Sequence, residues 1–341
     1  MNVRFTIIIA AYNAERYIET CVNSILNQNY NNYEIIIADD GSKDRTFEIV
    51  NNNYSKLENI TIITKEHTGV SDTRNIAMKY VNGDWISFLD SDDWLEENCL
   101  YELNNIINEY EDLQIILSDL IVNKQNREYK LYPSLNRHII YEKRDLIETT
   151  ISIKYGEKKY GIQYGNCRCI GGKFYDYNLI KDNEICFNEE LITFEDGIFN
   201  LWAYLKAKKI LLVENAWYHY RQVETSTTHN KNIDQKKQNN GIVKNIEKFN
   251  NYNPFELDEA INYCIFELLI SSFDKAVKNK NINLIKDEVK VRKKYIKKIS
   301  TFGNYLDKKE KLFLFIFKYN MTVFLYKYSF YKRLLKGEWR W

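Results

Sequence analysis

Residues 33–42 read YEIIIADDGS and residues 85–93 read WISFLDSDD, and these two stretches decide the fold. Each is a short run of β-branched, aromatic and aliphatic residues that ends in acidic residues. A run that is apolar on both faces predicts a strand covered on both sides, as in parallel sheets. Similar runs at Arg4–Ala11 and Ile60–Thr64 predict two further strands of the same kind.

The segments between these strands predict helices, at Glu15–Gln28, Asp44–Asn53 and Ser71–Val81. The alternation of strand and helix over the first hundred residues is typical of an α/β protein with a doubly wound, mostly parallel sheet. In such sheets ligands bind at the carboxyl ends of the strands. Polar clusters lie at three of these ends, so we expect a binding site there: Tyr12-Asn13, Asp39-Asp40 and Asp90 to Asp93.

The rest of the chain has a more mixed pattern. It predicts further elements in the order helix, strand, helix, strand: Leu100–Glu109, Gln114–Leu120, Asp196–Lys208 and Ile210–Glu214. After a polar loop at 222–240 the sequence becomes Lys-rich and predicts helices to its end. We therefore predict an α/β domain over 1–230, divided into halves 1–98 and 99–230, followed by a mainly helical region over 231–341.

The net charge of +1 conceals two opposed parts of the chain. From Lys275 to Trp341 there are 19 Lys and Arg against 5 Asp and Glu, or +14. The preceding residues carry 29 basic and 42 acidic side chains, or −13. A basic segment favours anionic lipid, nucleic acid or an acidic partner.

Several classes of protein are disfavoured by the sequence. A hydrophobic fraction of 45% argues against global disorder. The N-terminus lacks a signal-peptide pattern, and no apolar run approaches the length of a membrane span. Six cysteines in 341 residues are too sparse for a disulfide framework. We therefore expect reduced thiols and a cytoplasmic protein.

Three carboxylates within Asp90-Ser91-Asp92-Asp93 repel one another, and a divalent cation such as Mg²⁺ or Mn²⁺ would relieve that repulsion. The alternative is that Ser91 or Asp92 caps a helix that begins near Trp94. At the end of the second strand, Asp39-Asp40-Gly41-Ser42 is either an ordinary turn and helix cap or a site where one carboxylate accepts a hydrogen bond from a nucleobase, with Tyr12 against the base.

Four segments in this order carry a family resemblance: FTIIIAAYN (5–13), IIADDGS (36–42), GVSDTRN (69–75) and FLDSDD (88–93). Together they resemble the donor half of a family 2 glycosyltransferase with the GT-A fold, of the bacterial capsule, exopolysaccharide or O-antigen type. Ala10 stands where many members have proline, and Thr73 where alanine is usual.

The resemblance implies roles for individual residues on the donor side. Asp40 contacts the base, with Tyr12 along its face and Ala10 beside it. Arg74 borders the donor pocket, Asp90 approaches the ribose, and Asp92 binds the divalent ion that bridges the diphosphate.

On the acceptor side, the segment FEDGIF (194–199) is similar to the family's Glu-Asp motif. This similarity makes Asp196 the general base of an inverting transfer and Glu195 an acceptor contact. The alternative for Asp196 is a simple helix cap. The resemblance also implies that Lys173 shapes the acceptor side, that Arg221 offsets the charge of the leaving diphosphate, and that His219 binds metal or phosphate, although His219 is equally well explained as a packed ring. His67, His138 and His229 are assigned no role.

The C-terminal residues from Leu312 to Trp341 contain 11 aromatic side chains interleaved with Lys and Arg. Aromatic and basic residues together suit an anionic membrane surface. The alternative is a helical subdomain whose aromatics form its own core. A nucleic-acid partner is not expected, because no recognition motif accompanies the charge.

These observations predict a metal-dependent, inverting glycosyltransferase of the hexosyltransferase class, docked on the inner face of the membrane. Its donor would be a UDP-sugar, and its acceptor a lipid-linked saccharide in surface polysaccharide synthesis. The alternative is a catalytically inactive GT-A homologue that serves as a membrane-docked partner in a glycan-assembly complex.

Overall fold

A computed structural model describes residues 2–124, 127–131, 138–160, 165–222, 234–278, 281–292, 295, 305–319 and 321. Its strands are β1 (Phe5–Ala11), β2 (Tyr33–Asp39), β3 (Ile60–Thr64), β4 (Trp85–Asp90), β5 (Trp94–Leu95), β6 (Leu113–Lys124), β7 (Arg127–Lys130), β8 (Ile139–Ile140), β9 (Lys173–Asp176) and β10 (Lys209–Arg221). Its helices are α1 (Ile18–Leu26), α2 (Thr46–Tyr54), α3 (Val70–Met78), α4 (Cys99–Glu109), α5 (Lys143–Ile151), α6 (Ile153–Tyr160), α7 (Tyr177–Asp182), α8 (Glu195–Lys206), α9 (Gln235–Asn250), α10 (Asp258–Lys278), α11 (Ile282–Val291) and α12 (Lys308–Lys318).

The described strands form one mixed sheet in the order β3-β2-β1-β4-β9-β6-β10-β5, with β7 beside β6 and β8 beside β10. The β3-β2-β1-β4 half is parallel throughout. Strand β9 runs antiparallel to both of its neighbours, β4 and β6. The predicted mostly parallel α/β sheet is therefore confirmed for the first hundred residues.

The central strands are apolar on both faces because helices cover both sides. Ile7 and Ile9 of β1 belong to a buried cluster with Val22 of α1 and Leu103 of α4. Ile8, which points the other way, is also buried, and α3 packs on β1 and β2. Burial on both faces explains why these strands read as continuous apolar runs in the sequence.

Several strands differ from the sequence prediction, and two of them, β9 and β10, lie beside the predicted site. Strand β10 continues past the predicted end at Glu214, through Ala216 to Arg221, so residues 217–221 are part of the sheet. Strand β9 is not predicted, because a four-residue strand after two glycines has no periodic pattern to reveal it.

The chain divides into two compact units. The first contains residues 1–150 and 163–231, and the second contains 151–162 and 232–341. The boundary predicted after residue 230 lies next to this division. Residues 151–162, which the sequence places in the first domain, belong instead to the second unit, where α6 packs against α10.

The second unit has a core of aromatic side chains. Phe313 and Phe317 of α12 are buried and contact Phe273 and Phe266 of α10. In this part of the C-terminal segment, the alternative of a subdomain core is correct for those two rings, whereas Phe315 is exposed. Of the segment 312–341 that is predicted to bind a membrane, residues 320 and 322–341 lie outside the described residues.

Among the described residues, no helix combines the length and the apolarity needed to cross a bilayer.

Candidate active site

The parallel strands bring the predicted donor residues to one edge of the sheet. Ala11 at the end of β1 lies beside Asp39 at the end of β2, and Ala10 lies beside Asp90 at the end of β4. Because all three strands end at this edge, Tyr12, Asp40 and Asp90 emerge within one region. Ala10 contributes partly buried backbone between β2 and β4.

Asp40 is buried and organises the loop that follows β3. Its carboxylate accepts hydrogen bonds from the backbone N–H groups of Thr68 (3.0 Å) and Gly69 (2.9 Å). The Lys65 ammonium also donates to this carboxylate, and Nδ1 of His67 lies 2.8 Å from it. Burial alone would raise the pKa of Asp40, but the hydrogen bonds from Lys65, Thr68 and Gly69 hold it below its ordinary value. Asp40 is therefore ionised in the neutral range and already has partners.

Tyr12 is exposed and stacks on the imidazole of His67, with ring centroids 4.1 Å apart and planes 16° apart. Neither His67 nor Lys65 has a role predicted from the sequence. The sequence signal that could have indicated a role for them is their position directly after β3 and ahead of the GVSDTRN segment. A base that packs on Tyr12 and bonds to Asp40 would have to displace the His67 ring.

Arg74 connects the two halves of the site. It lies on α3, its guanidinium is nearly inaccessible to solvent, and it donates to Asp90 Oδ1 and to Asp196 Oδ1, each at 2.7 Å. The planar guanidinium also lies over the Phe187 ring, 5.1 Å from its centroid. A fork of fixed donors can hold two carboxylates at once. Arg74 thereby joins the predicted donor side to the predicted base.

The three acidic residues of the Asp90 to Asp93 turn have different environments. Asp93 is buried and accepts from the Tyr218 hydroxyl and the Arg221 backbone N–H, both at 2.7 Å. Burial, together with Asp90 and Asp92, raises the pKa of Asp93. Asp93 therefore anchors β10 to this turn. The helix-cap alternative is wrong, because β5 follows the turn and α4 begins at Cys99.

Arg221 lies against the same turn. Its Nε donates to the carbonyl oxygen of Asp92 (2.8 Å), and its guanidinium lies over the rings of Trp94 (4.5 Å) and Tyr17 (5.0 Å). Two aromatic faces and a carbonyl fix a cation beside the acidic turn. This position is compatible with the predicted contact to a leaving diphosphate.

The donor set for a divalent cation is incomplete in the protein alone. Among the described residues, no other residue donates a hydrogen bond to the Asp92 carboxylate, and no cluster of three His, Cys, Asp or Glu is arranged to hold a metal ion. Burial and the neighbouring Asp90 raise the pKa of Asp92 to about 6. This carboxylate, which Arg221 compensates only in part, fits one ligand to a hard cation, with the remaining ligands supplied by donor oxygens.

His219 does not fit the role of a metal ligand in this conformation. The residue is buried, its Nδ1 lies 3.0 Å from the Asn123 amide nitrogen, and its Nε2 lies 2.8 Å from Glu96 Oε1. The ring also stacks on Trp94 at 4.6 Å. Because both ring nitrogens already have partners, the packed-ring alternative describes His219. Of the two predicted metal ligands, Asp92 alone remains a candidate.

Helix α8 begins with Glu195 and Asp196. Phe194 occupies the N-cap position with φ = 70°, so the alternative that Asp196 caps the helix is wrong. The Asp196 carboxylate is oriented instead by Arg74 on Oδ1 and by the Ile170 backbone N–H, which donates to Oδ2 at 3.0 Å. Its partners come from outside α8.

The two acidic residues of this motif have different tendencies to ionise. Burial raises the pKa of Asp196, and Arg74, Ile170 and Lys173 oppose that rise. Burial and the adjacent Asp196 raise the pKa of Glu195 to about 8. Glu195 therefore holds a proton at neutral pH and suits hydrogen-bond donation, whereas Asp196 has the cationic partners that favour a carboxylate.

Lys173 is not available to an acceptor. Its side chain is fully buried, and its ammonium donates to the carbonyl oxygens of Asn166 and Cys169. The predicted direct acceptor contact is therefore corrected. The sequence could not show this, because a lysine next to a predicted site reads as a surface residue.

Comparison with known proteins places this architecture in a class. The crystal structure of Staphylococcus aureus TarS 1-349 in complex with UDP matches with a TM-score of 0.68 at 21% identity, over 98% of this chain and 92% of that one. The crystal structure of TarS 1-349 in complex with UDP-GlcNAc matches with the same TM-score of 0.68, at 20% identity and over the same shares of both chains. The fold is thus the GT-A fold.

Within that class, residues 6–174 match the sequence profile of glycosyl transferase family 2, and the chain belongs to this family. It is 28% identical over 228 residues to the poly(ribitol-phosphate) beta-N-acetylglucosaminyltransferase TarS of Staphylococcus aureus strain MW2, covering 64% of this chain and 35% of that protein. It is 30% identical over 223 residues to the poly(ribitol-phosphate) beta-glucosyltransferase of Bacillus spizizenii, covering 64% and 32%. The chain thus spans about a third of the length of these two relatives.

Proposed function

We propose that this protein is an inverting glycosyltransferase that moves a sugar from a nucleotide-sugar to a hydroxyl of a glycan acceptor. The observation that carries the proposal is the simultaneous pairing of Arg74 with Asp90 and Asp196 at 2.7 Å. That pairing brings an acidic residue with two oriented oxygens to the strand edge where the donor residues converge. This arrangement supports the proposal that Asp196 acts as the base beside the donor.

The proposed reaction is a single displacement. Asp196 accepts the proton of the acceptor hydroxyl, whose oxygen forms a bond to the anomeric carbon. The bond from that carbon to the diphosphate oxygen breaks, and its electron pair leaves with the nucleoside diphosphate. Attack from the face opposite the leaving group inverts the anomeric configuration.

Arg221 would donate to the departing diphosphate, where a charge-assisted, planar donor is most effective. A divalent cation, Mn²⁺ or Mg²⁺, held by Asp92 and by donor oxygens would neutralise the negative charge that develops on that group. Glu195, protonated at neutral pH, would donate a hydrogen bond to the acceptor.

The donor is proposed to be a UDP-sugar. The support is the pair of TarS structures that contain UDP and UDP-GlcNAc, together with Tyr12 and Asp40 at the strand ends. Surface polysaccharide synthesis is proposed because two relatives act on poly(ribitol-phosphate). We propose a lipid-linked saccharide as the acceptor and an anionic membrane surface as the partner of the basic C-terminal region, at the inner face of the cell membrane.

The test begins with binding and turnover. UDP-, GDP- and dTDP-sugars are screened by thermal shift with and without Mn²⁺, and nucleotide release is then followed for each stabilising donor. Asp196→Asn should lower turnover at least about 100-fold while the thermal shift by the donor persists. Asp92→Ala should remove the dependence on Mn²⁺.

Glu109→Gln, an exposed carboxylate at the end of α4, is the matched control and should keep full activity. If no nucleotide-sugar stabilises the protein, the donor assignment is overturned. If donors bind but neither the wild type nor any variant releases nucleotide, the inactive homologue is the better description.

A further inference from the structure

The loop between the 3-10 turn at Gly165–Cys167 and β9 supplies one of the two anchors of Asp196, through the Ile170 N–H. A backbone donor holds a carboxylate in place only if its loop is itself fixed. Gly172 begins the return to the sheet with φ = 69°, and a Cβ there would lie 2.9 Å from Leu120 Cδ2. The loop therefore follows a tight path that a side chain at this position would disturb.

Two fully buried side chains hold the loop through its carbonyl oxygens. Lys173 donates its ammonium hydrogens to the carbonyls of Asn166 and Cys169. From α8, the Asn200 amide donates to the carbonyls of Cys167 (3.2 Å), Arg168 (3.0 Å) and Cys169 (3.1 Å). Asn200 is oriented in turn by the Tyr175 hydroxyl, which donates to its Oδ1 at 2.6 Å.

A buried ammonium is costly unless its hydrogens are bonded, and here the bonds go to loop carbonyls rather than to a direct carboxylate partner. The free-energy cost of burying Lys173 is thus offset by its hydrogen bonds to the loop carbonyls, and the same bonds order the loop. Asn200 lies one turn after Asp196 on α8, so the same helix carries the acidic residue and one of the groups that hold its backbone partner.

We propose that Lys173 and Asn200 form a clamp on residues 166–170 that holds the Ile170 N–H on Asp196. Lys173 is therefore a positioning residue for the base rather than a contact for the acceptor. This inference rests on the proposed function, because it gives Asp196 a reaction to be positioned for.

Several charged or titratable groups face Asp196 from the surrounding elements, and each contributes to its state: Arg74 of α3, Asp90 of β4, Cys169 of the loop, Lys173 and Tyr175 of β9, and Glu195 of α8 itself. Loss of the clamp removes the Ile170 hydrogen bond, and loss of Lys173 also removes a positive charge. Both changes disfavour the carboxylate form of Asp196.

The first experiment measures hydrogen–deuterium exchange in the full chain. Lys173→Met should accelerate exchange at least about tenfold in the peptide covering residues 166–172, while the β1 and β2 peptides stay protected. Asp196→Asn should accelerate the Ile170 amide in the same peptide. Uniform acceleration over the whole sheet, or unchanged exchange at 166–172, would overturn the proposal.

The second experiment measures UDP release from UDP-GlcNAc. Lys173→Met should lower kcat at least about tenfold with less than about a twofold change in donor KM, because orientation is lost and donor contacts are kept. The acid limb of the kcat profile should move to higher pH. Asn200→Ala should lower kcat as well, without removing a charge. This variant tests the proposal if Lys173→Met does not fold.

Two controls separate positioning from general damage. Lys181→Met removes an exposed lysine of α7 and should change neither readout. Ile106→Ala lowers stability through the core under α4 and should leave the pH profile unchanged. An active wild type with an equally active Lys173→Met variant overturns the clamp. A wild type that releases no nucleotide from any donor overturns the proposed function, and the exchange experiment still decides the clamp.

Discussion

Arg74 places one positive charge between Asp90 and Asp196, with Glu195 nearby on α8. Burial opposes its charge, yet the surrounding carboxylates keep the pKa of Arg74 above its ordinary value. One cation cannot neutralise three ionised carboxylates, so Glu195 keeps its proton in the neutral range. Perturbed acidic groups around one buried cation are typical of functional sites.

The raised pKa of Glu195 has a testable consequence for the stability of the protein. Its pKa rises from 4.5 to about 8 in the folded protein, by burial and by repulsion from Asp196. Between these two pH values the unfolded chain loses the proton that the folded chain keeps, so the free energy of unfolding falls as pH rises. Glu195→Gln should therefore raise the Tm by about 2 °C or more at pH 8.

Thermal unfolding of both proteins from pH 4.5 to 8 measures this effect. The advantage of the Gln variant should shrink as pH falls and become small near the lower end, where half of the unfolded chains also carry the proton on Glu195. An advantage that is constant with pH, or none at pH 8, would contradict the assignment of a raised pKa.

The residues on the donor side could be predicted because each follows an apolar strand in a linked motif. The environments of Lys173 and His219 could not be predicted in this way. Both lie in segments whose elements, β9 and the extended β10, are set by tertiary pairing rather than by local pattern. The Arg74 bridge joins residues 122 positions apart, which one sequence does not reveal.

At the scale of elements, the first four strands could be read from the sequence because both faces of each strand are covered. Shorter elements depend on their neighbours. Strand β5 has two residues and pairs with Tyr218 and His219 of β10, so it exists because β10 extends that far. Such an element has no signal of its own.

Helix α12 begins with a capping box that can be tested. The Asp307 carboxylate accepts from the Glu310 N–H (2.8 Å), and the Glu310 carboxylate accepts from the Asp307 N–H (2.9 Å). Asp307→Ala should lower the free energy of unfolding by about 1 kcal/mol. Asp307→Asn, which can still cap, is the matched control and should lose much less.

Urea denaturation followed by circular dichroism measures both variants. The Glu310 N–H lowers the pKa of Asp307, so the charged cap contributes stability above the ordinary pKa that is lost as pH falls. Equal losses in the Ala and Asn variants would show that the side-chain cap contributes nothing.

At the scale of the whole molecule, charge distinguishes the two parts of the sequence, and in the last residues the basic side chains alternate with aromatic ones. Residues 322–341 contain five Lys and Arg, one Glu and seven aromatic side chains. Near an anionic surface each basic residue contributes about 1 kcal/mol. Truncation after Met321 should therefore weaken binding to phosphatidylglycerol-containing vesicles at least about 100-fold.

Vesicle co-sedimentation measures this loss, with phosphatidylcholine vesicles as the control surface. Replacing Lys327, Lys332, Arg333 and Lys336 by Gln tests charge alone, and added salt should weaken binding of the full chain. Equal binding of the truncated and full chains would refute docking through this segment.

Residues 151–162 belong to the second unit although they precede part of the first in sequence, and this has a consequence for engineering and for synthesis of the chain. Helix α6 is made early, but its partners on α10 and α12, including Tyr263 and Glu310, which accept hydrogen bonds from Lys158, follow more than 100 residues later. Its buried Tyr155 stays uncovered until those helices leave the ribosome. A chimera that takes its C-terminal region from a relative must therefore also take residues 151–162, because a single crossover near residue 231 would pair α6 with a foreign core.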